Sequence, residues 1–175
     1  MTPAPSSARR KAVILFSGGL DSILAARTLL DQGIGLHALH FAYPFMTQEV
    51  PGPDDAVGRS LAGLAAGRLG IPFREAPLGE EYLDIVRRPA HGLGKGMNPC
   101  IDCRILSFRL ARAFMEEIGA SFLVTGEVVG QRPMSQREDA MRTIDRDSGC
   151  GGIVLRPLSA KLLPPTVPET EGWVD

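Results

Sequence analysis

Apolar and polar positions along this chain switch between two periods, and the switches mark out a series of strands and helices. Residues 11–16, KAVILF, form a short unbroken apolar run of the kind shown by a strand buried on both faces, and Ser17-Gly18-Gly19 ends it. From Leu20 onward, apolar side chains recur at Ile23, Leu24, Ala26, Leu29 and Leu30, a helical spacing that Gly33 stops. Residues 34–41 then read as a second strand, which makes a βαβ unit with a right-handed crossover.

After a Pro/Gly-rich stretch at 43–53, a stripe of Val57, Leu61, Leu64, Ala65 and Leu69 predicts a helix over 54–69 despite three glycines. Residues 71–76 predict a third strand, where Pro72 suits an edge or a first position. A short helix is expected over 80–88, ended by Pro89, and then a glycine-rich loop over 91–97. A long helix is expected over 99–118, with Asn98 as N-cap and Pro99 at its first position. A strand at 121–125, a helix at 136–147 and a short strand at 152–155 follow. Pro157, Pro164, Pro165 and Pro168 predict an irregular arm thereafter.

Strands alternating with helices specify an α/β fold: three layers, a mostly parallel sheet with helices on both faces. Ligands in such sheets sit at the carboxyl ends of the strands. The expected organisation is a disordered N-terminus at 1–10, one α/β domain at 11–156 and the arm at 157–175.

Composition narrows the class. At 175 residues with 44% hydrophobic and 22% charged positions, the chain suits a single globular domain rather than a disordered or fibrous one. The net charge of −1 means that nucleic acid would have to be held by a local basic patch. No apolar run approaches the ~18 residues of a membrane span, and Arg9-Arg10-Lys11 leads into a glycine loop rather than a cleavage site, so a cytoplasmic protein is expected. Three cysteines, two of them spaced CxxC, favour metal or redox chemistry over a disulfide framework.

Ser17-Gly18-Gly19-Leu20-Asp21-Ser22 joins a buried strand to a helix. Glycines there let backbone N–H groups approach an anion, to which the helix N-terminus adds positive partial charge. The loop has neither the lysine of GxxxxGK[ST] nor the spacing of GxGxxG. A carboxylate at Asp21 would repel a phosphate chain unless Mg²⁺ sits between them, and Ser17 and Ser22 can donate to phosphate oxygens. The competing reading is a tight turn in which Ser17 or Asp21 caps the helix.

Cys100-Ile101-Asp102-Cys103 places two thiols three apart in the first turn of a helix, where the dipole favours thiolate, and Arg104 and Arg109 would assist if they fold toward the site. Three readings stay open for the pair: a structural zinc site with His91 and Cys150, a redox pair, or inert core cysteines. Gly126-Glu127 ends a strand on the ligand edge of the sheet, with a solvated turn as the plain alternative. In the loop after it, Arg132 and Gln136 could contact phosphate through an Arg fork and a Gln amide, or simply be solvated.

SGGLDS, followed by NPCIDCRILSFRLA, TGEVVGQRPMSQ and LRPLSAKLLPPTVPE, resembles the PP-loop ATP pyrophosphatases, and among them the tRNA thiouridylases. The similarity runs from Ala12 to Trp173. It implies an adenine nucleotide alpha hydrolase-like fold and an ATP-dependent RNA sulfurtransferase. In such an enzyme ATP adenylates a uridine carbonyl, a sulfur species attacks that carbon, and AMP leaves. Ser17, Gly18, Gly19, Leu20, Asp21 and Ser22 would then bind ATP, with Mg²⁺ on Asp21, while His40, Phe41, Gly126 and Glu127 border the nucleotide. Arg132 and Gln136 would contact RNA. Asp21, Cys100 and Cys103 would be catalytic. The cysteines would either carry sulfur or, with Cys150 as the third ligand, hold a [4Fe-4S] cluster. The implied partners are tRNA and a sulfur donor, either a protein persulfide or sulfide, and the implied assembly is a homodimer with no membrane contact. Two other readings compete: a PP-loop enzyme that adenylates a small acid or amide and uses ammonia, and a nucleotide-binding module that works with a partner chain.

Overall fold

The computed structural model of the chain describes residues 10–44, 60–94 and 98–175. Five strands form one parallel sheet in the order β3-β2-β1-β4-β5: β1 (Lys11–Leu15), β2 (Gly35–Ala42), β3 (Phe73–Pro77), β4 (Phe122–Thr125) and β5 (Val154–Leu155). The central register pairs Leu15 with Leu39 on one side of β1 and with Thr125 on the other. Every residue of β4 is buried, as is all of β1 after Lys11, which is why neither strand shows polar alternation. β3 is an edge strand, where Pro77 removes no needed donor and Pro72 just ahead of it offers its carbonyl to Ala38.

Six α-helices connect and cover the sheet: α1 (Leu20–Asp31), α2 (Leu61–Leu69), α3 (Glu80–Arg87), α4 (Cys100–Glu117), α5 (Glu138–Asp147) and α6 (Val167–Thr170). One core layer packs α1 and α2 against Ala12, Ile14, Leu36, Ala38, Phe122 and Val124. The other packs α4 and α5 against Val13, Leu15, Leu39, Phe41 and Leu123 on the opposite face. The odd and even residues of the same strands feed the two layers, so the expected three-layer α/β architecture is the one observed. α1 ends as Gly33 predicts: at φ +81° its N–H reaches the Leu30 carbonyl while Ile34 bonds Leu29. Among the described residues, no helix is long and apolar enough to cross a membrane.

Several expectations shift. α2 starts with Ser60 as N-cap, its hydroxyl accepting from the Gly63 amide, and the expected first turn over 54–59 lies outside the described residues. So do 1–9 and most of the 43–53 stretch. At α4, Pro99 rather than Asn98 is the N-cap and no side chain caps the end, so Asn98 supplies nothing to the first-turn amides. The arm is not irregular. It forms a short 3₁₀ turn and the one-turn α6, where Pro168 fits because the first helical positions need no N–H donor, and Thr166 and Glu169 close a capping box. Trp173 and Val174 then pack onto the α1 layer, with the Arg10 guanidinium 4.2 Å above the Trp173 ring.

Candidate active site

The chain order reverses beside β1: β2 and β3 lie to one side, β4 and β5 to the other. Such a switch point leaves a crevice above the carboxyl ends of the two strands that flank it, here β1 and β4. That crevice is a cleft of about 330 Å³ lined by Leu15, Ser17, Asp21, Ser22, Tyr43, Cys100, Cys103, Arg104, Gly126, Glu127, Arg132, Ser135 and Gln136. The glycine loop and the CxxC helix, 83 residues apart by the numbering of Ser17 and Cys100, meet in one cavity.

Two glycines shape the loop wall. Gly18 sits at φ +76°, and a Cβ there would lie 2.8 Å from the Ala62 Cα. A Cβ on Gly126 would meet the Asp21 carbonyl carbon and the Ser22 nitrogen at 2.6 Å, so the end of β4 touches the first turn of α1 backbone to backbone. Ser22 Oγ donates to the Gly19 carbonyl at 2.8 Å and lies 3.3 Å from Ser17 Oγ, while Ser17 Oγ accepts from the Gly19 amide. No side chain caps α1, so the reading in which Ser17 or Asp21 serves as its cap does not hold. The first-turn amides of α1 thus have no side-chain cap, and the loop that precedes them lines the cleft with Ser17, Asp21 and Ser22. Asp21 makes no ion pair with any described residue, which leaves its carboxylate available to a cation.

On the opposite wall, the Cys103 thiol donates to Tyr43 Oη at 3.4 Å, and Tyr43 meets Tyr82 edge-on at 5.2 Å. Burial pushes the Cys103 thiol up, and neighbouring Cys100 adds to this. The Tyr43 hydrogen bond and the Arg104 charge pull it down without cancelling the rise. The expected ready ionisation is thus not the resting condition, because desolvation outweighs the helix dipole. Burial, with Cys103 alongside, also holds the Tyr43 phenol above its ordinary range, so it remains O–H. Arg104 folds toward the site as expected. Arg109 does not, and donates instead to the Asp147 carbonyl.

Glu127 is 2% exposed and its carboxylate is fully engaged: Oε1 accepts from Arg104, and Oε2 from Arg156 and Thr125. Burial raises its pKa, but the two guanidinium charges outweigh this and hold it below the ordinary carboxylate range. Gln136 is buried at the cleft wall, and its Oε1 has no partner among the described residues. Arg132 is exposed beside it.

Three expected residues stand elsewhere. His40 Nδ1 bonds the Phe16 carbonyl and its ring stacks on Phe73, so it ties β2 to β1 without lining the cleft. Phe41 is a core residue of the α4 layer. Cys150 is fully buried ahead of β5, toward the amino edge of the sheet, with its thiol near the Phe108 and Ser148 carbonyls. The described residues contain no grouping of three His, Cys, Asp or Glu that could hold a metal, so neither the zinc set nor the three-cysteine cluster is assembled from them. His91 is instead gripped by Asp102 and Asp147. Leu20 is the exposed first residue of α1. Sequence reasoning passed over Tyr43 and Ser135. Tyr43 follows the carboxyl end of β2, and that placement alone was a signal for it.

Comparison with known proteins agrees with this geometry. Residues 7–161 match the family model "Thiamine biosynthesis protein (ThiI)". The chain is 34% identical over 128 residues to the tRNA-specific 2-thiouridylase MnmA of Nitratidesulfovibrio vulgaris, covering 69% of this chain and 35% of that protein. It is 31% identical over 128 residues to a probable tRNA sulfurtransferase of Methanothermobacter thermautotrophicus, covering 73% and 31%. Among solved structures, a 4-thiouridine synthetase–RNA complex with bound ATP superposes with a TM-score of 0.60 at 26% identity, covering 85% of this chain and 36% of that one. The chain spans about a third of the length of these relatives. A match across most of the sequence, on the fold and cleft described, places this chain in the ThiI family of PP-loop proteins.

Proposed function

We propose that this chain is the ATP-dependent catalytic unit of a tRNA uridine thiolation enzyme. The observation that carries the reading is the single cleft, in which an uncapped helix N-terminus with Ser17, Asp21 and Ser22 faces Cys100 and Cys103. The similarity to an RNA complex with bound ATP supports the same pairing of ligands.

Oxygen is a poor leaving group from a pyrimidine carbonyl, and a phosphate ester is a far better one, so activation must precede sulfur attack. The loop amides, with Ser17 and Ser22, bind the nucleotide phosphates, and Asp21 is the residue to hold Mg²⁺, which neutralises their charge. Sulfur then attacks the activated ring carbon and AMP departs. Cys103 is the candidate carrier: Tyr43 fixes it in the cleft wall, and Cys100 lies one turn of helix away. The buried Gln136 amide and Arg132 contact the uridine and its backbone. The described residues offer two cleft thiols rather than three, which does not fit an iron–sulfur cluster, and no step runs through one. The sulfur donor is a protein persulfide, whose terminal sulfur moves to Cys103 with release of the donor thiol, or sulfide, which attacks the activated carbon itself without loading Cys103. Because Arg104 and Arg132 are the only cations lining the cleft among the described residues, a homodimer would add needed RNA-facing surface.

The test is an assay with ATP, Mg²⁺, tRNA transcript and a persulfide-generating donor. AMP and pyrophosphate should appear in step with thiouridine. Cys103→Ser should lower thiouridine formation by ~10²-fold or more while leaving ATP binding unchanged. A wild type that forms no thiouridine, with ammonia-stimulated pyrophosphate release that is undiminished in the Cys100→Ser, Cys103→Ser double variant, would point instead to ammonia as the nucleophile. ATP binding with no RNA-stimulated pyrophosphate release would leave only a nucleotide-binding module.

A further inference from the structure

The residue after Cys103, Arg104, is the cleft-lining end of a buried ion-pair network. Arg104 donates through Nε and Nη2 to one oxygen of Glu127, at 2.9 and 2.6 Å. Among the described residues its Nη1 donates to nothing. The other Glu127 oxygen takes Arg156 Nε at 2.9 Å and Thr125 Oγ1 at 3.2 Å, and Arg156 is clamped by Asp145 at 2.9 and 2.7 Å. Arg104 also lies over the Phe108 ring at 5.4 Å. Glu127 and Arg156 are 2% and 4% exposed, whereas Arg104 is 26% exposed and lines the cleft. The four charges sum to zero, and the guanidinium is fixed by its partners while no carboxylate among the described residues caps its outer edge.

A guanidinium held rigidly with a free edge toward a cleft is built for an anion, because its planar fork matches phosphate oxygens and little rotamer entropy remains to be lost. Its place is the border between the phosphate loop and the thiol. On the reading of the cleft as an adenylating site, the anion at that border is the phosphate joined to the uridine. We infer that Arg104 binds the AMP phosphate, both in the adenylated uridine and as AMP leaves, and that Glu127 is the positioning residue that aims it. At that step the sulfur–carbon bond forms and the bond from the ring carbon to the phosphate oxygen breaks. The electron pair goes out on that oxygen, so charge builds on the group facing Arg104. With hydrosulfide as nucleophile no redox change occurs, and its proton passes to solvent.

Titration calorimetry of the full chain with AMP and with adenosine separates the possibilities. Arg104→Met, which keeps the stem and leaves Glu127 paired to Arg156, should weaken AMP at least tenfold and leave adenosine within twofold. Arg104→Lys, which keeps the charge but loses the fork, should fall between. The inference is overturned if Arg104→Met binds AMP as wild type does, or if AMP and adenosine weaken in parallel. A wild-type chain that binds neither would overturn the adenylating reading itself and the inference with it. A loss of AMP affinity with no thiolation by any variant or the wild type would sink only the proposed activity.

Discussion

Gly126 is the clearest case of one residue deciding the site. Its missing side chain lets β4 reach the first turn of α1, so a methyl at that position must push the phosphate loop away from the strand. Gly126→Ala should cost about 1–3 kcal/mol, the range for forced overpacking, and should weaken ATP binding. A urea midpoint and a nucleotide titration on the same variant check both parts. Gly18 could be read from the sequence because a glycine loop between strand and helix has a local signature. Gly126 was placed at the ligand edge by the strand it ends, but its contact with Asp21 joins segments about a hundred residues apart and leaves no local trace. The same holds for His40 and Phe41. Strand ends can be located from pattern, yet which face each side chain takes, and whether a partner such as the Phe16 carbonyl claims it, depends on packing.

Among the elements, α4 matters most, and its start is secured from outside. His91 Nδ1 lies 2.7 Å from Asp102 Oδ1 and Nε2 lies 3.1 Å from Asp147 Oδ2, while the His91 amide donates to Asp102 Oδ2. Both ring nitrogens face carboxylates, so the imidazolium is the form that satisfies both. Its pKa is raised above 6.5, first by the Asp102 hydrogen bond, which outweighs the opposing effect of burial, and further by Asp147. A raised folded-state value contributes stability that is complete below the unfolded pKa of about 6.5 and is lost as pH climbs through the folded one. The stability difference between wild type and His91→Ala should therefore shrink from pH 6 toward pH 9, and a constant difference in denaturant midpoints would refute this. The helix itself was readable from its spacing, and its cysteines from CxxC. The role of Asp102 was not, since its partner His91 comes from a glycine-rich loop and is held in turn by Asp147 at the end of α5. The arm misled for a related reason: prolines forbid helix interiors but not the first turn, and a capping box with a half-buried tryptophan overrode composition.

At the scale of the whole molecule, the alternation of strand and helix was enough to specify the layers, the parallel sheet and the edge that carries the site. Strand order was not specified, yet strand order is what brings the loop after β1 beside the Thr125-Gly126-Glu127 turn. Arg156 then joins three parts of the domain: it follows β5, bonds Glu127 at the end of β4 and is clamped by Asp145 on α5. Arg156→Met should cost about 3–5 kcal/mol, because it leaves the half-buried Asp145 without its guanidinium and strips the buried Glu127 of one of its two, and thermal unfolding measures it. Asp145 is already pushed up by burial against the pull of Arg156, so in that variant it should take up a proton more readily still. The Asp175 amide donates to Gln32 and Trp173 lies under Arg10, both beside the strand origins rather than the strand tips. Polypeptide fused after Asp175 would thus set out from the underside of the domain, leaving the mouth of the cleft clear for a macromolecule as bulky as folded RNA to approach.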